Sequence, residues 1–318
     1  MSLSRQKIAS IDIGTHTARL LIVESVDSPR LFNVLARKRS YIYLSEDFNK
    51  IAGGGIGPKA VERTISALRD FYTVTKEHNV EDIISVSTGV VRRAVNSRYF
   101  IDTIHDRTGI DVRLISGEEE AGLTAKGVLH SLDIRGPLVI FDLGGGTTEF
   151  IQMRNDIVDL RSLPLGAVEL TRSFFQSDPP REDRISDLSA YVDRLLKETL
   201  PAEKNKTDHV NLVGSGGTVT TLAAMINKIE IKDITHDRLN GLILDLERIK
   251  DLFAAMRSVS FSERLRMPGL DRERARVILA GTAVVIRILD FFSAKDLTVS
   301  YSDILEGNVI SFLRGEEI

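Results

Sequence analysis

The 318-residue sequence has no cysteine and no tryptophan. Without cysteine there is no disulfide framework, no thiolate zinc site and no cysteine nucleophile. Histidine is scarce, six in all, and none of the six stands at a metal-ligand spacing. No run approaches the roughly 18 apolar residues that a membrane helix requires. The first apolar stretch, Ile8–Ile13, is interrupted by Ser10 and Asp12 and so is no secretory h-region. A cytoplasmic protein without a membrane partner is expected. A large charge of one sign is also lacking. The formal net charge of −3 argues against a surface that coats nucleic acid, while allowing a local basic cleft. What remains is 42% hydrophobic and 27% charged, an ordinary globular composition. At this length two domains are the default.

One phrase is used twice: Asp12-Ile13-Gly14-Thr15-His16-Thr17, and Asp142-Leu143-Gly144-Gly145-Gly146-Thr147-Thr148. Each copy follows a short apolar run and precedes another, so both read as strand, tight glycine turn, strand. An aspartate at the end of a buried strand, followed by glycines and hydroxyls, is poor sheet chemistry. It is good chemistry for holding a phosphate against a cation. Glycines let backbone N–H groups approach an anion, and threonines add donors. The aspartate can hold a hydrated divalent ion. A single copy reads equally well as a hairpin turn capped by its own Asp. Two matched copies, about 130 residues apart, suggest two similar lobes facing one polyphosphate.

Along the chain, Ile8–Ile13, Arg19–Glu24 and Leu31–Ile42 read as strands. Pro58 opens a helix with apolar residues at helical spacing, from Val61 to Tyr72. A strand at Asp82–Ser87, a helix at Phe100–Arg107, a strand at Val112–Ile115 and a helix at Gly117–His130 follow. The order then restarts, with strands at Leu138–Leu143, Glu149–Met153 and Ile157–Leu163 and helices at Ala167–Phe175 and Ile185–Leu200. Val210–Val213 is a strand feeding Gly214-Ser215-Gly216-Gly217-Thr218, which opens a helix through Ile226. One long helix over Glu273–Phe291, a strand at Leu297–Tyr301 and a closing helix from Asp303 complete the pattern. This is an α/β protein, with lobes expected at 1–122 and 123–302 and the closing helix, 303–318, returning to the first. The repeated three-strand meander resembles the ribonuclease-H-like lobes of actin, sugar kinases and chaperone ATPases, which enclose an interdomain cleft.

The Gly214–Thr218 segment has the pattern of a general anion site, because a helix N-terminus and its orphan N–H groups point the same way, although alone its ordinary reading is close packing of turn and helix. It has no P-loop lysine, and Gly214-Ser215-Gly216 is not a nucleophile elbow. Ser116-Gly117-Glu118-Glu119-Glu120-Ala121 places three carboxylates at a helix start, which the helix dipole alone would favour. Successive helical positions point about 100° apart, so the middle residue can face a cleft while its neighbours cap the helix or face solvent. Beside bound phosphate such a carboxylate suits proton abstraction from water. Arg37-Lys38-Arg39, Arg264 with Arg266, and Arg272, Arg274 and Arg276 are basic clusters whose ordinary reading is solvated surface. Arg266 stands out because the bend at Pro268-Gly269 follows it.

Taken in order, the phrases Ile11-Asp12-Ile13-Gly14-Thr15-His16-Thr17-Ala18-Arg19-Leu20, Thr88-Gly89-Val90-Val91-Arg92-Arg93-Ala94, Ile115-Ser116-Gly117-Glu118-Glu119-Glu120-Ala121, Val139–Glu149, Leu163–Val168 and Gly214–Thr218 resemble the exopolyphosphatase and guanosine pentaphosphate phosphohydrolase (Ppx/GppA) family, in its short two-domain form. The matches run from residue 8 to about 307. The resemblance implies a hydrolase acting on the terminal phosphoanhydride of inorganic polyphosphate or guanosine pentaphosphate, with magnesium or another divalent cation. It implies Glu119 as the general base, Arg92 or its neighbour Arg93 as the neutralising cation, and Asp142 and Glu149 as ligands of the metal and its water. Asp12, Gly14, Thr15, Thr17, Gly144, Gly145, Gly146, Thr147, Thr148, Gly214, Ser215, Gly216, Gly217, Thr218 and Arg266 would hold phosphate. Two departures are specific: His16 stands where the family usually has asparagine, and Leu305 precedes Glu306-Gly307 where it usually has arginine. The competing readings of the scaffold are a sugar-kinase-like phosphotransferase and a non-enzymatic actin-like nucleotide-binding protein.

Overall fold

The computed structural model describes residues 5–154, 157–200 and 210–316. The stretches 1–4, 155–156, 201–209 and 317–318, which the sequence assigns to the two lobes, lie outside the described residues. The chain forms two compact units, Met1–His130 with Ile304–Ile318, and Ser131–Asp303. Among the described residues no helix is long and apolar enough to cross a membrane.

In the first unit the elements are β1 (Lys7–Ile13), β2 (Thr17–Ser25), β3 (Phe32–Tyr41), α1 (Pro58–Glu77), β4 (Asp82–Ser87), α2 (Val90–Arg93), α3 (Ser97–Thr108), β5 (Arg113–Leu114) and α4 (Gly117–Ser131). The sheet order is β3-β2-β1-β4-β5, with β1–β3 an antiparallel meander and β4 parallel to β1. Strand β1 buries both faces, as its nearly continuous apolar run requires. Ala9, Ile11 and Ile13 pack with Val61, Ile65, Leu68 and Phe71 of α1 and with Phe100 and Ile104 of α3. Ile8, with Leu21 and Val23 of β2, packs on Leu305, Val309 and Ile310, supplied by the last helix of the chain.

The second unit runs β6 (Leu138–Leu143), β7 (Thr148–Arg154), β8 (Ile157–Leu163), α5 (Ala167–Phe174), α6 (Glu182–Thr199), β9 (Asn211–Ser215), α7 (Gly217–Ile226), α8 (His236–Leu239), β10 (Ile243–Asp245), α9 (Leu246–Arg257), α10 (Phe261–Arg264), α11 (Arg272–Ala275), α12 (Ile278–Phe291) and β11 (Asp296–Val299). The returning helix of the first unit is α13 (Ile304–Leu313). Sheet order here is β10-β11-β9-β6-β7-β8, again an antiparallel meander, β6–β8, extended by a parallel strand, β9. Its core is sealed by α12, almost wholly buried.

Two differences from the sequence pattern have clear causes. The helix expected over Glu273–Phe291 is two helices. Asp271 caps α11 by accepting from the Arg274 N–H at 2.8 Å, and Val277, at φ −118° and ψ −7°, is the N-cap of α12. Strand β10 and helix α9 were not read from sequence. Three strand residues are too few to show a period, although Asp245 is a strong N-cap, accepting from the N–H groups of Glu247 and Arg248.

Candidate active site

The two repeated phrases form hairpins of the same register. In the first, Gly14 N–H donates to Thr17 O at 3.0 Å, and in the second Gly144 N–H donates to Thr147 O at 3.0 Å. Asp12 therefore stands opposite Arg19, and Asp142 opposite Glu149. Residues so opposed have Cβ atoms about 4.5–5.5 Å apart on one face of the sheet. In the first unit the pair is an aspartate and a cation, with Arg19 Nη2 2.7 Å and Nε 3.0 Å from Asp12 Oδ2. In the second it is two buried carboxylates, Asp142 at 8% exposure and Glu149 at 1%. Ser215 donates its hydroxyl to Asp142 Oδ1 at 2.9 Å, and Ser162 donates to Glu149 Oε1 at 2.7 Å.

The backbone around each turn is tied down. Thr15 O accepts from Leu44 N–H, and His16 O from the N–H groups of Ile42 and Tyr43. Thr15 Oγ1 accepts from Val90 N–H at 3.3 Å, which seats the Thr88–Arg93 segment on the first turn. Thr17, at the first position of β2, is buried. In the second turn Gly144 O and Gly145 O accept from the first N–H groups of α5. The Thr148 hydroxyl, fully buried, donates to Leu165 O at 2.7 Å, which commits it to the frame of the turn. Gly145, Gly146 and Thr147 make up the rest of that turn.

At the start of α4 the three glutamates separate. Glu119 is exposed and closes a capping box. Its Oε2 accepts from Ser116 N–H at 2.7 Å, while Glu119 N–H donates to Ser116 Oγ at 3.1 Å. Arg113 donates to its other oxygen. The Ser116 backbone donor, acting against burial and helped by Arg113, holds the Glu119 carboxyl below the usual glutamate range. Glu120 is the buried one, at 8% exposure, and its Oε2 lies 3.4 Å from Arg92 Nη1. The Arg92 guanidinium also donates to Ile115 O at 3.0 Å. Arg93, the next residue, is exposed and lies over the Phe48 ring instead. Sequence alone lets the middle glutamate face a cleft while its neighbours cap the helix or face solvent; in the structure Glu119 takes part in the cap and Glu120 is buried.

The Gly214–Thr218 segment runs off the end of β9, beside Asp142. Gly216 has φ +90°, and a Cβ there would stand 2.8 Å from Asp142 Oδ1, so only glycine lets the chain pass this close. At Gly217 the space of a side chain is filled by the Arg274 guanidinium. Thr218 is buried. Arg266, the arginine favoured by its neighbouring bend, is exposed beyond α10. Arg264 is buried and structural, donating to Met256 O at 2.8 Å and pairing with Asp178. Of these arginines, Arg274 is the one the fold brings to the glycine turn, a long-range placement with no local sequence signal.

Among the described residues no three His, Asp or Glu side chains gather as a metal cage. Two carboxylates in register, both tied by hydroxyl donors, do fit a hard cation that keeps most of its waters and takes further oxygens from a phosphate.

The model of the Ppx/GppA phosphatase family matches residues 21–316. The chain is 32% identical over 330 residues to exopolyphosphatase 2 of Mycobacterium tuberculosis, covering 98% of this chain and 99% of that protein. It is 32% identical over 316 residues to a bifunctional 3-dehydroquinate synthase/phosphatase of Fusobacterium nucleatum, covering 95% of this chain and 46% of that protein, so the chain spans about half of this relative. It is 25% identical over 320 residues to the guanosine-5'-triphosphate,3'-diphosphate pyrophosphatase of Vibrio atlanticus, with coverage of 98% and 60%. The crystal structure of an exopolyphosphatase from Cytophaga hutchinsonii matches with a TM-score of 0.89 at 28% identity, covering 98% of this chain and 99% of that one.

Proposed function

This chain belongs to the Ppx/GppA phosphatase family, in the actin-like fold of its solved members, and on that premise we propose that it releases terminal orthophosphate from inorganic polyphosphate, guanosine pentaphosphate, or both. Relatives named exopolyphosphatase and guanosine-5'-triphosphate,3'-diphosphate pyrophosphatase support the substrate class. The observation that carries the reading is the contrast between the two hairpins. The Asp142–Glu149 pair calls for a divalent cation, and the Asp12–Arg19 pair offers a guanidinium at the matching position. Phosphoryl transfer needs little covalent help, mostly positioning and charge neutralisation.

Asp142 and Glu149 would hold magnesium or a similar ion, which would neutralise charge on the phosphoryl oxygens and bind water. Ser215 and Ser162 fix the two carboxylates by donating to them. Glu120 takes the proton from the attacking water, since it is buried beside Arg92 while Glu119 is bound into the helix cap. Within the first unit Arg92, and within the second Arg274, are the arginines suited to phosphate oxygens. Water attacks the terminal phosphorus, the bridging P–O bond breaks, and orthophosphate leaves from a chain one phosphate shorter, or from guanosine tetraphosphate. The test is orthophosphate release from the two substrates side by side, with magnesium and with a chelator. Release from at least one, lost on chelation, is expected; none from either with magnesium or manganese would overturn the proposal.

A further inference from the structure

The two meanders of this chain end in different edges. Strand β3 closes one side of the first sheet, and strand β8 closes one side of the second. An edge strand offers its N–H and C=O groups to any further strand, and proteins guard such edges with cations, proline or a bulge. β3 is guarded twice. It carries Arg37-Lys38-Arg39, and its register with β2 shifts between Ile22 and Val23. The opposite edges are short, two residues for β5 and three for β10. β8 is different. It is seven residues long, with neither lysine nor proline, and its register with β7 runs unbroken from Arg154–Ile157 to Thr148–Leu163. Val158, within it, is 52% exposed.

The sequence of β8 is also complementary to itself. Leu160 is its midpoint, so a second β8 laid antiparallel about Leu160 overlaps it along its whole length. That register sets Leu160 opposite Leu160, Val158 opposite Ser162 and Asp159 opposite Arg161, the last two contacts made twice by symmetry. Within the strand, Arg161 Nε lies 3.1 Å from Asp159 Oδ1, and the Arg161 side chain is half exposed. Pairing keeps that contact and closes a ring of four alternating charges. Opposite charges facing each other across an antiparallel pair favour it, and like charges oppose it. On β3 any antiparallel register that lays the cationic stretch on itself sets like charges face to face. We propose that two copies of this chain pair through β8 as a two-fold dimer, their second-unit sheets joined edge to edge. Main-chain hydrogen bonds supply the attraction, as in other strand additions, and the Asp159–Arg161 contacts fix the register. The surface is the same on both copies, so the contact consumes the edge and closes at two. The side-chain face continued across it is the one that carries Ser162, which donates to Glu149. The second copy's Val158 stands opposite Ser162, so the dimer reaches a residue that fixes the carboxylate pair.

The test is sedimentation velocity of the full chain over a range of concentrations. The native chain is expected to approach twice 35.3 kDa. Asp159→Arg and Arg161→Asp each set like charges opposite one another, and each should raise the dimer dissociation constant at least about tenfold. Mixed in equal amounts, the two variants should form a heterodimer, because every facing pair is then again one cation and one anion. The double reversal, Asp159→Arg with Arg161→Asp, should restore a homodimer. A variant that regains a partner in the mixture is folded, so loss of the fold cannot imitate this pattern. A native chain that stays monomeric, single variants as dimeric as the native chain, or a mixture that stays monomeric would each overturn the pairing.

Discussion

Glu119 and Glu120 are neighbours on α4 and point about 100° apart, which gives them different chemistry. Three interactions hold the Glu119 carboxylate: the Ser116 N–H, the Ser116 hydroxyl and Arg113. Donors to the charged form weaken a base. Glu120, buried against Arg92, has no part in the capping box. Glu120→Gln is therefore expected to lower kcat by about 10²–10⁴-fold, the usual contribution of general-base assistance, while Glu119→Gln stays within a few-fold of the native rate. Orthophosphate release decides it, and the opposite ranking would return the role to Glu119. The same contacts predict a pH effect. The Glu119 carboxyl is held below its usual value, so the stability it contributes is full above an unfolded glutamate pKa of about 4.3 and is lost as pH falls through the folded value. The difference in Tm between native chain and Glu119→Gln should be present at pH 7 and shrink below about pH 4. A constant difference would mean the charge is not what stabilises the cap.

At the scale of elements, the two hairpins share one register and differ in one partner, seven residues after the aspartate: Arg19 in one, Glu149 in the other. The first pair joins an aspartate to a guanidinium; the second joins two carboxylates. Asp142→Asn removes one charged oxygen from a site for a hard cation, while the amide oxygen still accepts from Ser215. The magnesium concentration needed for half-maximal activity should rise at least tenfold. An unchanged titration would confine Asp142 to shaping its turn. The hairpins were legible in the sequence because glycines, hydroxyls and flanking apolar runs are local signals. The Asp142–Glu149 pair came from the family resemblance, and the register of the second hairpin sets the two side by side. Arg274 was not legible, because it meets Gly217 across more than fifty residues of chain with no local pattern to mark the contact, and Arg266 drew attention through a local bend alone. At the start of α4, Ser116 as N-cap makes Glu119 the third helical residue, which closes the box, a spacing that the sequence itself carries.

At the scale of the whole molecule, the first unit is discontinuous: the chain leaves it after α4, builds the second unit, and returns as α13. The return is structural. Leu305, Val309 and Ile310 are buried on Ile8, Leu21 and Val23, covering one face of the meander that carries the first turn. Polar groups tie the same helix down. Arg37 of the edge strand β3 pairs with buried Glu306, Asn308 Nδ2 donates to Ser10 Oγ at 3.3 Å, and Lys126 Nζ of α4 donates to Ser311 Oγ at 2.8 Å. Leu305, just before Glu306, serves this apolar contact. Burying three such side chains is worth about 1.5–3 kcal/mol each, a large share of a typical domain stability of roughly 5–15 kcal/mol. A chain ending at Asp303 should therefore lose the cooperative unfolding of its first unit, bind a hydrophobic dye at temperatures where the full chain does not, and release no orthophosphate. A synthetic peptide of residues 303–318 added in trans should restore part of the unfolding transition, because the groove it fills is made by residues far away in sequence. If the truncated chain melted at the same temperature as the full one, the burial on β1 and β2 would not be what holds this unit. The Asp12–Arg19 pair would then owe its position to the α1 and α3 face of the sheet alone.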